Sequence, residues 1–164
     1  ELFVLQKAEI SFLPVNVGEA IEEVKQITAQ GLQKKEVILE ASFDEAVLLL
    51  EKDLFISLLV NLVDNAAKAS QAGGHIRLTG KCEENRYAIM VRDEGKGIPE
   101  SEIKNILEPF YMVDKSRSRK EGGAGLGMTL CAEIVRLHHA EWKIESKENE
   151  GTKITIWFSL EGEE

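Results

Sequence analysis

At 164 residues the chain is sized for one domain with a core of its own. Hydrophobic residues make up 43% and charged residues 30%, an ordinary composition for a soluble protein, and the formal net charge is −9. That charge opposes sequence-independent binding to nucleic acid or to an anionic membrane, since both need a basic surface. No apolar run approaches the length of a membrane span, and none reads as a signal peptide. Cys82 and Cys131 lack metal-ligand or redox spacing and read as buried thiols in a reducing compartment. The first residue is Glu1 rather than a methionine, which reads as a segment of something longer.

In chain order, residues 1–13 read as a linker that runs to Pro14 and enters the domain. Ile21, Val24 and Ile27 recur at helical spacing within a helix over about 17–35. Val37, Leu39 and Ala41 alternate with more polar neighbours, and 46–50 is a short apolar run; both predict strands. A second helix follows over about 52–71, closed by Gly73 and Gly74. Ile76 and Leu78, then Tyr87, Ile89 and Val91, mark two strands around a polar turn at 83–85. After Asp93 come glycines, a short helix over about 100–107, and a charged stretch of low periodicity over 108–123, a length of loop that usually carries function or disorder. Leu126, Leu130, Ile134 and Leu137 define a fourth helix ending near His139. Trp142 with Ile144, and Ile154, Ile156 and Phe158, close the chain as two strands. Strands joined by short turns favour an α+β layer with helices on one face of a mixed sheet.

Three constellations carry chemistry. On the second helix Phe55, Leu58, Leu59, Leu62 and Ala66 form the expected buried stripe. Asn61, Asn65 and Lys68 share another side, at i, i+4 and i+7. A solvated face explains such a stripe, but asparagines are poor helix formers, and an amide oxygen facing a pocket suits Mg²⁺. Next, Asp93-Glu94-Gly95-Lys96-Gly97-Ile98-Pro99 is either a tight turn or an acceptor in a cleft with Ile98 as an apolar wall. A carboxylate there would accept the amino N–H of adenine and oppose the O6 of guanine. Third, Gly122 to Met128 runs into the fourth helix, where backbone N–H groups and the helix dipole can cradle a phosphate. A hinge explains the glycines equally, and neither of the common phosphate-loop patterns is present. Between the last two, Lys115, Arg117, Arg119 and Lys120 form either a solvated charge run or a flap able to neutralise a triphosphate on closing. Gly151-Thr152 opens the last strand and reads as turn chemistry.

In this order and spacing the segments resemble the N, G1, F, G2 and G3 boxes of the catalytic, ATP-binding domains of two-component sensor histidine kinases. The N box matches Asn61 to Lys68, the G1 box Asp93 to Ile98, the F box Glu108 to Tyr111, and the G2 box Gly123 to Gly127. The resemblance covers about residues 14–160 and implies a two-layer α/β sandwich, the Bergerat-type ATP-binding fold, with a mixed sheet of about five strands and three main helices on one face. It implies Mg²⁺ on Asn65, with Asn61 and Lys68 near the phosphates. Asp93 would take the adenine amino group with Thr152 behind it, Gly95, Gly97, Ile98 and Phe110 around the nucleotide, and Gly123, Gly125, Leu126 and Gly127 at the phosphates. Lys115 and Arg117 are the lid candidates over 108–123. Met112 replaces an arginine frequent in relatives, and Ala69 an aromatic that packs on the base, so adenine stacking on that side is expected to be weak.

The wider superfamily includes gyrase-type and chaperone-type ATPases, which place a general-base glutamate where this chain has Asn61. An amide cannot take a proton from water, so slow hydrolysis is expected, with the γ-phosphoryl kept for another nucleophile. His75, His138 and His139 lack the acidic residue that follows an acceptor histidine. The resemblance therefore implies a phosphoacceptor on an upstream dimerisation domain, a response regulator reached indirectly, no nucleic-acid partner, a monomeric isolated domain and a dimeric full-length protein. It further implies a cytoplasmic domain, whether or not the parent is anchored in a membrane. The alternatives are an anti-sigma-factor-type serine kinase and a non-catalytic nucleotide-binding module. Residues 161–164 read as a tail.

Overall fold

The computed structural model describes residues 10–106 and 124–160. Strand β1 (Leu13–Asn16) leads directly into helix α1 (Val17–Lys35), where the Asn16 side-chain oxygen accepts the Glu19 N–H at 2.9 Å. That bond satisfies one of the donors a helix start leaves open. Lys34 and Lys35 occupy the last turn, where the helix dipole favours cations, and Glu36 ends the helix in the left-handed region. Then come β2 (Ile38–Phe43), β3 (Val47–Leu50), α2 (Lys52–Ala69), β4 (His75–Glu83) and β5 (Arg86–Asp93). They are followed by α3 (Glu100–Ile106), α4 (Ala124–Leu137), β6 (Glu141–Lys147) and β7 (Gly151–Ser159). The α2 start is capped by the Glu51 carboxylate, which accepts the Leu54 N–H at 2.9 Å.

Five strands form one sheet in the order β2-β4-β5-β7-β6. β2 lies parallel to β4, and the other neighbours are antiparallel, so the sheet is mixed, as expected. β1 and β3 form a separate antiparallel ribbon. Alternate residues of β4, β5 and β7 (Ile76, Leu78, Ile89, Val91, Ile154, Ile156, Phe158) are buried with the helices. Phe55 of α2 meets Phe158 edge-on, with centroids 5.5 Å apart. The other sheet face carries cross-strand ion pairs such as Arg86–Glu141 and Lys153–Glu145. No helix among the described residues is long and apolar enough to cross a membrane.

The predicted stripe of α2 is buried throughout. The helix expected over about 17–35 is present, and within it Ile21 and Val24 are buried, whereas Ile27 is 56% exposed and Thr28 only 4%. At 100° per residue Thr28 falls close to the Ile21 direction whereas Ile27 lies about a third of a turn away. The Thr28 hydroxyl stays satisfied by donating to the Val24 carbonyl at 2.8 Å. Residue 13, read as the end of a linker, is the first residue of β1. Cys131 is buried as expected, and burial pushes its thiol up to about 12. Cys82 is exposed instead, at the hairpin end of β4, one residue before the strand's last.

His138, just past α4, joins four segments. Its Nδ1 is 2.9 Å from the Ile134 carbonyl, and its Nε2 accepts the Glu51 N–H at 3.1 Å. A carbonyl can only accept, so the ring is neutral with its proton on Nδ1. Phe12 and Phe158 meet the ring edge-on at 5.2 and 5.9 Å. The α2 start, the α4 end, β7 and the approach to β1 thus converge on one imidazole.

Candidate functional site

Read in register across the sheet, Leu78, Val91, Ile154 and Ile144 make an apolar row on the helix-facing side. Two residues along, the same side carries Ile76, Asp93, Thr152 and Ser146. Hydrophobic filling gives way there to a carboxylate and two hydroxyls, and the period of two in a strand makes this a row rather than a scatter. Asp93 is only 6% exposed. Its Oδ1 accepts the Gly95 N–H at 2.7 Å, and the Thr152 backbone N–H also favours the charged form. Burial nevertheless dominates and raises its pKa, the two backbone donors lower it, and Glu94 adds to the rise.

The loop after Asp93 is pressed against α2. A Cβ at Gly95 would collide with the Ala69 carbonyl, and the Lys96 N–H donates to that same oxygen at 3.1 Å. Only glycine fits such an approach. Gly97 has φ 76° and passes the Lys147 carbonyl just as closely. Both glycines therefore have a structural reason in addition to the role expected of them. The Ile98 N–H donates to Ser146 Oγ at 2.8 Å, which fastens the loop to β6. A cavity of about 530 Å³ opens beside it, with Ala69, Gln71, Gly95 and Lys96 among its lining.

Asn61, Asn65 and Lys68 lie along α2, as their spacing predicts. The Asn61 amide nitrogen donates to the Ser57 carbonyl at 2.7 Å, and that of Asn65 to Met128 Sδ at 3.2 Å. Gly127 of α4 faces both: a Cβ there would stand 3.6 Å from the Asn61 amide oxygen and from the amide atoms of Asn65. Helix α4 starts at Ala124, so Gly125, Leu126 and Gly127 fall in its first turn, where helical N–H groups lack intrahelical partners. α2 thus joins two groups, Asn61 and Asn65 with Gly127, and, at its C-terminal end, the loop from Asp93. Phe110, Lys115, Arg117 and Gly123 lie outside the described residues.

The donors suit Mg²⁺ in kind. With the Asn65 nitrogen engaged by sulfur, its oxygen is the atom of that amide fitted to a hard cation. Among the described residues no group of three or more His, Cys, Asp or Glu could hold a metal.

Ser146 escaped sequence reasoning. Its hydroxyl donates to the Gly151 carbonyl at 2.9 Å and lies 2.7 Å from Thr152 Oγ1. Trp142, Ile144 and Ser146 alternate in one direction along β6, so the parity that marked the strand also put Ser146 beside Thr152.

Residues 51–162 match the profile described as histidine kinase-, DNA gyrase B- and HSP90-like ATPase. The sensor histidine kinase YkoH of Bacillus subtilis is 33% identical over 154 residues, which cover 94% of this chain and 33% of that protein. The sensor histidine kinase WalK of the same organism is 38% identical over 109 residues, 65% of this chain and 18% of its own length. The chain thus spans a third or less of these relatives. In fold it is similar to the catalytic domain of the histidine kinase ThkA, with a TM-score of 0.78 at 24% identity, covering 92% of this chain and 97% of that one. It is also similar to full-length ShkA in complex with AMPPNP, with a TM-score of 0.80 at 20% identity, covering 97% of this chain and 34% of that one.

Proposed function

Because the chain belongs to the histidine kinase-, DNA gyrase B- and HSP90-like ATPase family, we propose that it binds Mg²⁺-ATP and passes the γ-phosphoryl to a histidine on another domain. The observation that carries this reading is Asp93, a buried carboxylate whose Oδ1 accepts the Gly95 N–H, in a polar row of the helix-facing side. A carboxylate so held is an acceptor fixed in direction, suited to an adenine amino group. Asn65 would hold Mg²⁺, which when bound neutralises charge on the phosphates. Asn61, Lys68 and the first turn of α4 with Gly125, Leu126 and Gly127 would position the phosphate chain, helix N–H groups serving the anion. Ile98 would wall the base. Phe110, Gly123, Lys115 and Arg117 are carried into the proposal on their motif positions alone.

Transfer rather than hydrolysis is favoured by Asn61, a neutral amide whose nitrogen is committed to Ser57; it has no basic atom to activate water. The names of the relatives, sensor and sporulation kinases, favour a phosphoacceptor histidine over the serine of an anti-sigma-factor kinase. The acceptor would lie on a dimerisation domain, with a response regulator next in line.

The test is calorimetric titration with AMPPNP, with and without Mg²⁺. Asp93→Asn should lower affinity by about tenfold to a hundredfold, the range for losing a hydrogen bond to a charged group. Asn65→Ala should abolish the Mg²⁺ dependence while leaving metal-free binding in place. A parent chain that binds no nucleotide would sink the reading in favour of an interaction module.

A further inference from the structure

Ser146 Oγ has three polar neighbours and one proton. The Ile98 N–H donates to it at 2.8 Å, so the oxygen accepts there. The Gly151 carbonyl at 2.9 Å can only accept, so the Ser146 O–H is directed at it. Thr152 Oγ1, at 2.7 Å, could play either part on its own. Ser146 has no second proton to give, however, so Thr152 is the donor of that bond. The lone pairs of Thr152 are thereby left as acceptors, on the same row and in register with Asp93.

We propose that Ser146 is a specificity-determining residue of this nucleotide site: by taking the Thr152 proton it keeps the Asp93–Thr152 row a surface of acceptors only. Such a surface takes a base with an exocyclic amino group and repels one with a carbonyl in that place. The proposal rests on the ATP reading above and assigns Ser146 a part in base choice rather than in phosphate or metal binding. It acts through Thr152 and needs no contact with the nucleotide. Were the Ser146 proton on Thr152 instead, the Gly151 bond would be forfeited and Thr152 would be free to donate; the two arrangements predict opposite preferences.

The experiment titrates the chain, with Mg²⁺, against ATP and against inosine triphosphate, which has a 6-oxo in place of the 6-amino group. Parent, Ser146→Ala, Thr152→Val and the double variant are compared at one temperature, each shown to be folded by its melt. The parent should prefer ATP. Ser146→Ala releases the Thr152 O–H to turn and donate to the 6-oxo group, so the ATP preference should fall by about tenfold, the scale on which an unpaired buried polar group discriminates. In the Thr152→Val background Ser146→Ala should change the preference no further, and Ser146→Thr, which keeps a hydroxyl, should retain it. Where Ser146→Ala does not fold, Ser146→Cys, nearer in volume and a weak acceptor, takes its place with the same expectation. An unmoved ATP preference in the folded variant overturns the proposal alone. So does a loss of preference that persists with Thr152→Val, which would instead record a shift of the loop through Ile98. A parent chain that binds neither nucleotide overturns the ATP reading and this inference together.

Discussion

At Asp93 two influences compete on one carboxyl group: burial penalises its charge, while the N–H groups of Gly95 and Thr152 stabilise it. Burial is the larger, so the folded pKa lies above the ordinary 3.8. For a carboxyl raised in this way, stability is fully present below the unfolded value and is lost as pH rises through the folded one. Ionised Asp93 thus costs the fold at neutral pH and serves the ligand. Nucleotide affinity should decline on acidification from a pH above 3.8, as the acceptor gains a proton. Calorimetry between pH 4 and 8 should show that decline in the parent and not in Asp93→Asn, which binds weakly throughout. At pH 7 Asp93→Asn should melt no lower than the parent. Asp93 was legible because a lone carboxylate ends an alternating strand just before glycines. Ser146 was not, because serine near a turn has a sufficient local explanation, and the partner that ties it to the site loop, the Ile98 N–H, lies on a segment far away in sequence. The burial of Thr28 in place of Ile27 was hidden for a related reason: two side chains one residue apart compete for a stripe, and only the packing of α1 on its neighbours chose Thr28.

Helices were the most legible elements. Their caps and apolar stripes are local, and α2 and α4 took the courses that Phe55 to Ala66 and Leu126 to Leu137 prescribe. β1 was hidden: four residues including Pro14 give no alternation, and the strand exists only because Val47 to Leu50 lie opposite. The junction at His138 is an element-scale device of the same nonlocal kind. Burial lowers its pKa below 6.5; the Ile134 bond and the charge of Glu51 act the other way, and His139 assists the lowering. Protonation would turn Nε2 from an acceptor of the Glu51 N–H into a donor facing a donor. The stabilisation is therefore complete above pH 6.5 and is lost as pH falls from 6.5 towards the folded value. His138→Gln can keep an acceptor for Glu51 and does not titrate. The melting temperature of the parent should drop between pH 7 and 5 by about 2–4 °C more than that of His138→Gln, roughly the effect of 1 kcal/mol in a chain of this size. Equal slopes would exclude His138 as a source of acid sensitivity.

For the molecule as a whole, the α+β class and the one-sided helical layer followed from short turns and alternation. The parallel partnership of β2 with β4 did not, since nothing local distinguishes a parallel neighbour from an antiparallel one. It arises because α2 occupies the connection and carries the chain back across the sheet. The pairing of β5 with β7 is longer in range still: Asp93 lies opposite Thr152, so everything from residue 94 to 151 is a closed excursion from two adjacent strands. In polymer terms, closing that excursion costs entropy that grows only with the logarithm of its length, about 0.6 kcal/mol per doubling. A Gly/Ser insert of about 15 residues within 113–120 lengthens it by roughly a quarter and should cost roughly 0.2 kcal/mol, measurable as a barely shifted urea midpoint. Chain length between the central strands is thus almost thermodynamically neutral, and variation there can be answered by function without being vetoed by folding.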